Sequence, residues 1–170
     1  MGVSDLLQAL CDPDAVRECQ RVGVGGRVEM SAGGKTDDRH GKPFPIKGVV
    51  TALSDGKYEE TGPTHGGFRF YDDGPSAAVK TDDGYAIVLI IRPGCTSSLQ
   101  QFRTLGIEPP EIKIIIAKGV HSPRPAMEPI AKELIWCATP GVTTADLMTF
   151  TYKLRRVPIY PLEKDATLRR

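Results

Sequence analysis

The sequence predicts a mixed α/β fold with a β-rich central section, and three observations carry this prediction. Strand-like segments dominate residues 44–91, and a hairpin is expected over residues 76–91, because Asp83-Gly84 tolerates the positive φ of a tight turn. Toward both ends of the chain, strand-like and helix-like segments alternate, which predicts flanking βα units. The chain has 170 residues and is 40% hydrophobic, which is enough for one core, so we expect residues 1–170 to form a single domain.

The N-terminal segments differ in how clearly their sequence patterns predict a helix or a strand. Residues 4–11 place three leucines on one helical face, which favours a helix, with a strand entering a βα unit as the alternative. Asp12-Pro13 then supplies a cap and a first helical residue for a helix over residues 14–22. Residues 27–31 alternate polar and apolar side chains, so they predict a strand that ends in the Gly33-Gly34 loop.

The C-terminal half predicts shorter elements. Residues 98–105 indicate a helix, and the apolar run 112–117 favours a central strand buried on both faces. A helix kinked by an internal proline is expected over residues 122–134, followed by a short strand over 135–138. The tail, residues 152–170, alternates basic and apolar residues around two prolines, which predicts an extended segment over the surface.

Composition excludes several function classes. Lys and Arg total 22 against 21 Asp and Glu, a net charge of +1, which argues against nucleic acid as a partner. The apolar runs are too short to span a membrane, and the N-terminus lacks the pattern of a signal peptide, so we expect a cytoplasmic protein without a membrane partner. Four cysteines without a CxxC pair favour reduced thiols.

Three polar, glycine-rich loops are the candidates for function. They are Gly33-Gly34-Lys35, His65-Gly66-Gly67 and the segment from Lys118 to His121. The first resembles a P-loop, but Glu29 stands where that motif requires glycine and no helix pattern follows, which excludes Walker-type nucleotide binding. Two interpretations stay open with equal weight, a small nest for a carboxylate or phosphate and a tight turn with a solvated lysine.

No catalytic or metal-binding set stands out in the sequence. The histidines His40, His65 and His121 are separated by 25 and 56 residues, whereas zinc ligands usually come in close pairs, so a metal site within this chain is not favoured. These histidines suit hydrogen bonding to a substrate group, or merely tie their own loops together. Cys95 has no partner base defined by the sequence, and Asp72-Asp73 is first of all a turn.

A series of motifs nonetheless runs through nearly the whole chain in a specific order. The series is Cys11 to Val16, Gly23-Val24-Gly25, Gly33 to Asp37, His40-Gly41, Leu53 to Lys57, Gly62 to Gly67, Gly74 to Ala77, Phe102 to Ile107, Lys118 to His121, Glu128 to Ala131 and Leu154 to Arg156. In these motifs the chain resembles the C-terminal domain of the MlrC, or microcystinase C, family of metallopeptidase-like hydrolases. The sequence departs from the family pattern at Ser122-Pro123-Arg124 and in the loop over residues 92–98, which leaves the substrate open.

The resemblance implies one half of a two-domain enzyme. In the family, an N-terminal domain supplies the Asp, Glu and His ligands of a catalytic zinc and activates water for amide hydrolysis. The resemblance therefore implies that this chain binds no cofactor itself, works beside an N-terminal metal-binding domain and is inactive alone. A peptide-like or small amide substrate is implied.

The function expected from the sequence is that of an accessory domain whose three loops help to form the substrate cleft. Its expected substrate-binding or anion-binding residues are Gly33, Gly34, Lys35, His65, Gly66, Gly67, Lys118 and His121, at strand ends where open α/β sheets bind ligands. The alternative is a stand-alone domain for a small ligand or anion without catalysis. A third interpretation is a purely structural or dimerisation module, a homo-oligomer, which an exposed apolar patch over residues 152–162 would favour.

Overall fold

The computed structural model of the chain describes residues 6–37, 41–139 and 146–167. His40 and the last three residues of the tail lie outside this described part, as do residues 4 and 5. Two compact units are found, residues 1–135 and residues 136–170, and we describe each by itself. The expectation of a single domain over residues 1–170 stays a prediction.

The first unit is built around β-sheets. Its strands are β1 (Leu6–Cys11), β2 (Arg27–Ala32), β3 (Phe44–Ser54), β4 (Lys57–Glu59), β5 (Phe70–Asp72), β6 (Ser76–Thr81), β7 (Ala86–Ile90) and β8 (Ile114–Ile116). Six of them form one sheet in the order β2-β3-β6-β7-β1-β8, and β4 pairs with β5 in a second, small sheet. β1 is parallel to both β7 and β8, whereas the other neighbours are antiparallel. The predicted mixed α/β class is confirmed.

The three parallel strands end on the same side of the large sheet. Because β1, β7 and β8 run in the same direction, the residues that follow them emerge on one side of the sheet. We call this side the carboxyl edge; Asp12, Ile91 and Ala117 are the first residues beyond the three strands. Open sheets with parallel strands bind their ligands at such an edge.

Helices cover both faces of the large sheet. α1 (Pro13–Val22) buries Ala15, Val16 and Cys19 in a core with β2, β3, β6 and β7, and α2 (Gln100–Arg103) and α3 (Arg124–Met127) carry Phe102 and Met127 into the other core. Burial of these apolar side chains against the sheet is what holds the layers together.

Two local predictions are confirmed. α1 begins at Pro13 as expected, and the carboxylate of Asp12 caps it by accepting a hydrogen bond from the Ala15 amide at 3.0 Å. β6 and β7 form the predicted antiparallel hairpin over residues 76–91, with Gly84 at φ +87° in its turn. Both features depend only on short stretches of sequence.

Three predicted elements are wrong. Residues 6–11 form a strand rather than the favoured helix, because β1 gains hydrogen bonds from two neighbouring strands. β8 is an edge strand rather than a central one, and Ile114 and Ile116 are 43% and 42% exposed. Residues 135–138 form no strand.

Two predicted helices exist but are short. The helix expected over residues 122–134 is reduced to α3, which ends before Pro129 because proline cannot donate to the preceding turn. The helix expected over residues 98–105 spans only α2, and a left-handed Gly106 follows it. No helix in the described ranges is long and apolar enough to cross a membrane.

The second unit has little regular structure. A 3₁₀ turn, Leu147–Thr149, begins at Asp146, whose side chain accepts a hydrogen bond from the Met148 amide. Residues 152–167 contain no helix or strand, and an ion pair between Arg155 and Glu163 joins two parts of this tail. Several large apolar side chains of the tail are exposed; these are Tyr152, Leu154, Val157, Ile159 and Tyr160.

Candidate functional site

Asp12, the first residue beyond β1, organises the carboxyl edge. Its side chain is 2% exposed, and both carboxylate oxygens are engaged. Oδ1 caps α1, while Oδ2 accepts a hydrogen bond from the Gly33 amide at 2.9 Å and an ion pair from Lys35 Nζ at 2.8 Å. The first candidate loop is thereby fixed to the end of β1, although it follows β2, which is separated from β1 by three strands of the sheet.

The charge of Asp12 is stabilised by these contacts. Burial opposes ionisation, but the hydrogen bonds from Lys35, Ala15 and Gly33 outweigh it and lower the pKa of Asp12. The Gly33 amide and the Lys35 ammonium therefore do bind a carboxylate, and in this structure the carboxylate is that of Asp12. Whether they also bind a substrate anion stays a prediction.

The third candidate loop reaches the same edge. Partial burial raises the pKa of the Cys11 thiol, while the nearby ammonium of Lys118 lowers it and the carboxylates of Asp12 and Asp73 raise it. Lys118, Asp12 and Asp73 thus lie close enough to Cys11 to act on its charge. The raised pKa leaves Cys11 a protonated thiol at neutral pH, which is a poor nucleophile.

Asp73, directly after β5, is the least expected member of this cluster. It is 8% exposed, and its Oδ2 accepts hydrogen bonds from Tyr58 Oη at 3.0 Å and Gln101 Nε2 at 2.8 Å. Burial raises the pKa of Asp73, and the bonds from Gln101 and Tyr58 offset this only in part. Tyr58 is itself held by stacking on Tyr71, with the ring centroids 5.0 Å apart.

The second candidate loop, around His65, is tied to the rest of the unit by Glu60. This carboxylate is buried and accepts hydrogen bonds from Ser98 Oγ at 2.7 Å and the Gly62 amide at 2.8 Å. Burial opposes its ionisation, but these bonds lower the pKa of Glu60. The 3₁₀ turn His65–Gly67 lies against α3, and an open pocket runs along residues 60–69.

The structure therefore brings the first and third candidate loops to the same edge, and it brings the second loop next to the helix that follows the third. Gly33 and Lys35 meet the carboxyl edge at Asp12, and Lys118 reaches the same edge beside Cys11. His65, Gly66 and Gly67 are exposed and lie against the helix that begins three residues after His121. Gly34 is fixed by space, because a Cβ at this position would lie 2.6 Å from the backbone of Lys42. A role of these eight residues in substrate binding stays a prediction.

Sequence reasoning missed Gln101 and Glu60, and it interpreted Asp72-Asp73 first of all as a turn. Asp72 and Asp73 look equivalent in the sequence, yet Asp72 is exposed and pairs with Arg92 while Asp73 is buried. The two aspartates appear in the sequence only as an acidic pair beside a glycine turn, which is also an ordinary surface pattern.

In the ranges that the structure describes, no group of three or more His, Cys, Asp or Glu residues could hold a metal ion. The family resemblance assigns the zinc ligands to an N-terminal domain, and the expectation that this chain itself binds no cofactor stays a prediction.

The sequence model of one protein family, described as MlrC C-terminus, matches residues 3–154. The chain belongs to this family. The MlrC C-terminal domain seen here therefore carries its candidate loops and the Asp12 and Asp73 carboxylates within the family region. The predicted resemblance is confirmed.

A solved structure also resembles this MlrC C-terminal domain. It is described as a "Putative metallopeptidase" from Mesorhizobium sp. BNC1, with a TM-score of 0.76 and 23% sequence identity, and the match covers 95% of this chain but 32% of that one. At this identity the likeness concerns the fold. The chain thus spans about a third of the length of that relative. Among curated proteins, no relative matches.

Proposed function

We propose that this MlrC C-terminal domain forms the substrate side of a cleft in a metal-dependent amide or peptide hydrolase. The observation that carries the proposal is the ion pair of Lys35 with the buried Asp12 at the carboxyl edge, where Lys118 and the buried Asp73 also act on the charge of Cys11. Parallel strands commonly end at ligand sites, and charged groups there can orient an amide substrate. Family membership and a much longer metallopeptidase-like relative support the hydrolase context.

The metal chemistry is assigned to a separate N-terminal domain. That domain would bind zinc and activate water, whereas this chain would contribute binding and orientation. Its expected contacts are Lys118 and His121 from one loop, His65 to Gly67 from another, and Gly33 to Lys35 beside Asp12. A peptide-like or small amide substrate and a cytoplasmic location are parts of the same proposal.

The decisive experiment compares this chain with a longer protein that joins it to the metal-binding domain of the family. We expect zinc-dependent hydrolysis of short peptides or small carboxamides by the longer protein and none by the 170-residue chain. In the longer protein, Lys118→Ala should raise KM about tenfold, as for the loss of a contact to a charged group, without changing zinc content. Lys80→Ala, an exposed lysine on β6, is the matched control. Activity of the chain alone would contradict the proposal.

One observation favours the alternative of a stand-alone anion-binding domain. The Gly33 amide and Lys35 already surround a carboxylate, which is the geometry of a small anion site. An external anion would have to compete with Asp12 for the same donors. Titration of phosphate or acetate into the chain, with Lys35→Ala as the comparison, separates this alternative from a loop that serves only to hold Asp12.

A further inference from the structure

The carboxylate of Asp73 differs from the other buried acids of the first unit in its hydrogen-bond and ion-pair partners. Asp12 is paired with Lys35, and both oxygens of Glu60 accept hydrogen bonds. Among the residues that the structure describes, Asp73 has no basic partner within ion-pair distance. The two side chains that donate hydrogen bonds to it, Tyr58 and Gln101, both bind Oδ2. A buried carboxylate without a cation is costly, so one open oxygen requires an explanation.

The protein positions this carboxylate firmly. The Asp73 amide donates to the carbonyl of Gly56 at 2.9 Å, and its carbonyl accepts from the Arg92 amide at 3.1 Å. Tyr58 and Gln101 then fix the orientation of the side chain through Oδ2. Such support from several elements is typical of groups that bind or orient a ligand.

A glycine lies on the side of the open oxygen. Oδ1 of Asp73 faces Gly94, where an added Cβ would be in van der Waals contact with it at 3.4 Å. Gly94 is exposed and lies in the loop that follows β7 at the carboxyl edge, so this side of the carboxylate is near the surface. Any larger side chain at position 94 would reduce access to Oδ1.

A second unmet acceptor lies beside the carboxylate. Gln101 is 3% exposed, and because its Nε2 donates to Asp73, its Oε1 is left buried without a hydrogen-bond donor in the described part of the chain. Buried polar atoms are nearly always paired, and an orphan acceptor indicates a missing donor. Asp73 Oδ1 and Gln101 Oε1 therefore have no donor among the residues that the structure describes, and an N–H group of a ligand would supply one.

We propose that Asp73 is a ligand-binding carboxylate whose Oδ1 accepts a hydrogen bond from an N–H group of the ligand, an ammonium or a primary amide. One acceptor satisfies one N–H donor, whereas a metal ion would need several ligands in place. The proposal deepens the proposed function, because an amide substrate offers such a donor. It rests on that function only for the identity of the substrate, and binding itself is testable without hydrolysis.

The test uses two small probes on the 170-residue chain, methylammonium chloride and acetamide, with sodium chloride at equal ionic strength as the blank. NMR signals of the Gly94 amide and the Gln101 side-chain amide report the site. We expect saturable shifts with at least one probe, and binding about tenfold weaker or more in Asp73→Asn, since the hydrogen bond to a charged group is lost. Methylammonium and acetamide distinguish an ammonium from an amide ligand.

Asp83→Asn is the matched control, because it removes the same charge from an exposed turn and keeps an Asn-Gly pair there. It should bind the probes like the wild type. If Asp73→Asn fails to fold, Gly94→Leu provides a second variant, which should block the probes while the Tyr58 and Gln101 bonds persist. No shift with either probe, or equal binding by Asp73→Asn, overturns the proposal. Absence of hydrolysis in the longer protein would instead contradict the proposed function alone.

Discussion

Asp12 joins three parts of the molecule through one carboxylate. Replacement by alanine removes the cap of α1 and leaves the Gly33 amide without its acceptor. We expect Asp12→Ala to lower the free energy of unfolding by about 2–3 kcal/mol, the sum of a lost cap and a lost partly buried hydrogen bond. Urea denaturation measures this, with Asp14→Ala as control, because Asp14 is exposed in the same first turn. An equal effect of both changes would contradict the role of Asp12.

The two buried aspartates should respond to pH in opposite directions. The pKa of Asp12 is lowered in the folded state, so its contribution is complete above its ordinary pKa of 3.8 and is lost as the pH falls through the folded value. The pKa of Asp73 is raised above 3.8, so the stability of the folded state is greatest when Asp73 is protonated and falls as the pH rises through the raised value.

This difference predicts how a neutral variant behaves. Between about pH 4 and about pH 7, Asp73→Asn should gain stability relative to the wild type, because it escapes the cost of ionising a buried acid. Asp72→Asn should instead lose stability by a nearly constant amount in this range, since the hydrogen bond and ion pair with Arg92 lower the pKa of Asp72 and keep it ionised. Thermal unfolding across this pH range measures both, and parallel curves for the two variants would refute the assignment.

At the scale of elements, Glu60 should control the order of α2. Its carboxylate accepts from Ser98 and from the Gln100 amide at the start of that short helix. A helix of four residues gains little from its own hydrogen bonds, so it depends on such contacts. We expect Glu60→Ala to increase hydrogen exchange of the α2 amides by about tenfold, the equivalent of one lost bond to a charged group.

The adjacent residue provides the control for this prediction. Glu59 is exposed and pairs with Arg69 on the small sheet, so Glu59→Ala should leave exchange in α2 unchanged. Equal protection of α2 in wild type and Glu60→Ala would show that packing of Phe102, not the carboxylate, orders this helix.

The turn between β3 and β4 depends on a glycine for reasons of space. A Cβ at Gly56 would lie 1.8 Å from the carbonyl oxygen of Gly74, and Gly56 has φ +74°. We expect Gly56→Ala to destabilise the fold by about 3 kcal/mol or more, because backbone must move. Gly25→Ala is the control, since Gly25 has φ +82° but no neighbour within 4 Å, and it should cost about 1 kcal/mol. Similar losses in denaturation experiments would exclude the steric explanation.

Some elements of the fold could be predicted from the sequence, and others could not. α1 and the hairpin were predictable because Asp12-Pro13 and Asp83-Gly84 encode them within a few residues. Residues 6–11 were not, because their strand state depends on partners about 75 or more positions away in sequence, and local patterns do not report such pairing. The family motifs predicted which loops to consider. They did not predict the burial of Asp73, because this burial depends on packing of Tyr58 and Gln101 from other segments.

At the scale of the whole molecule, the exposed apolar side chains of the second unit bear on self-association. Leu154 is 99% exposed, and Val157 and Tyr160 are 67% and 73% exposed. Apolar groups gathered on a surface are typical of contact sites, so they are consistent with the homo-oligomer expected from the sequence, which stays a prediction. Sedimentation velocity should show a concentration-dependent shift that Leu154→Asp removes and Lys164→Asp does not. A monomer at all concentrations would exclude this contact.

The place of β1 in the sheet has a consequence for how the chain acquires its structure. β1 precedes both of its partners, residues 86–90 and 114–116, so it stays without a strand on either side until most of the first unit has been made. α1, whose cap is local, can form well before that. Closing so long a loop makes pairing slow compared with local helix formation, and the unpaired strand is exposed to other chains in the meantime. The same parallel pairing that brings Asp12 and Lys118 to one edge thus makes sheet closure the late event of folding.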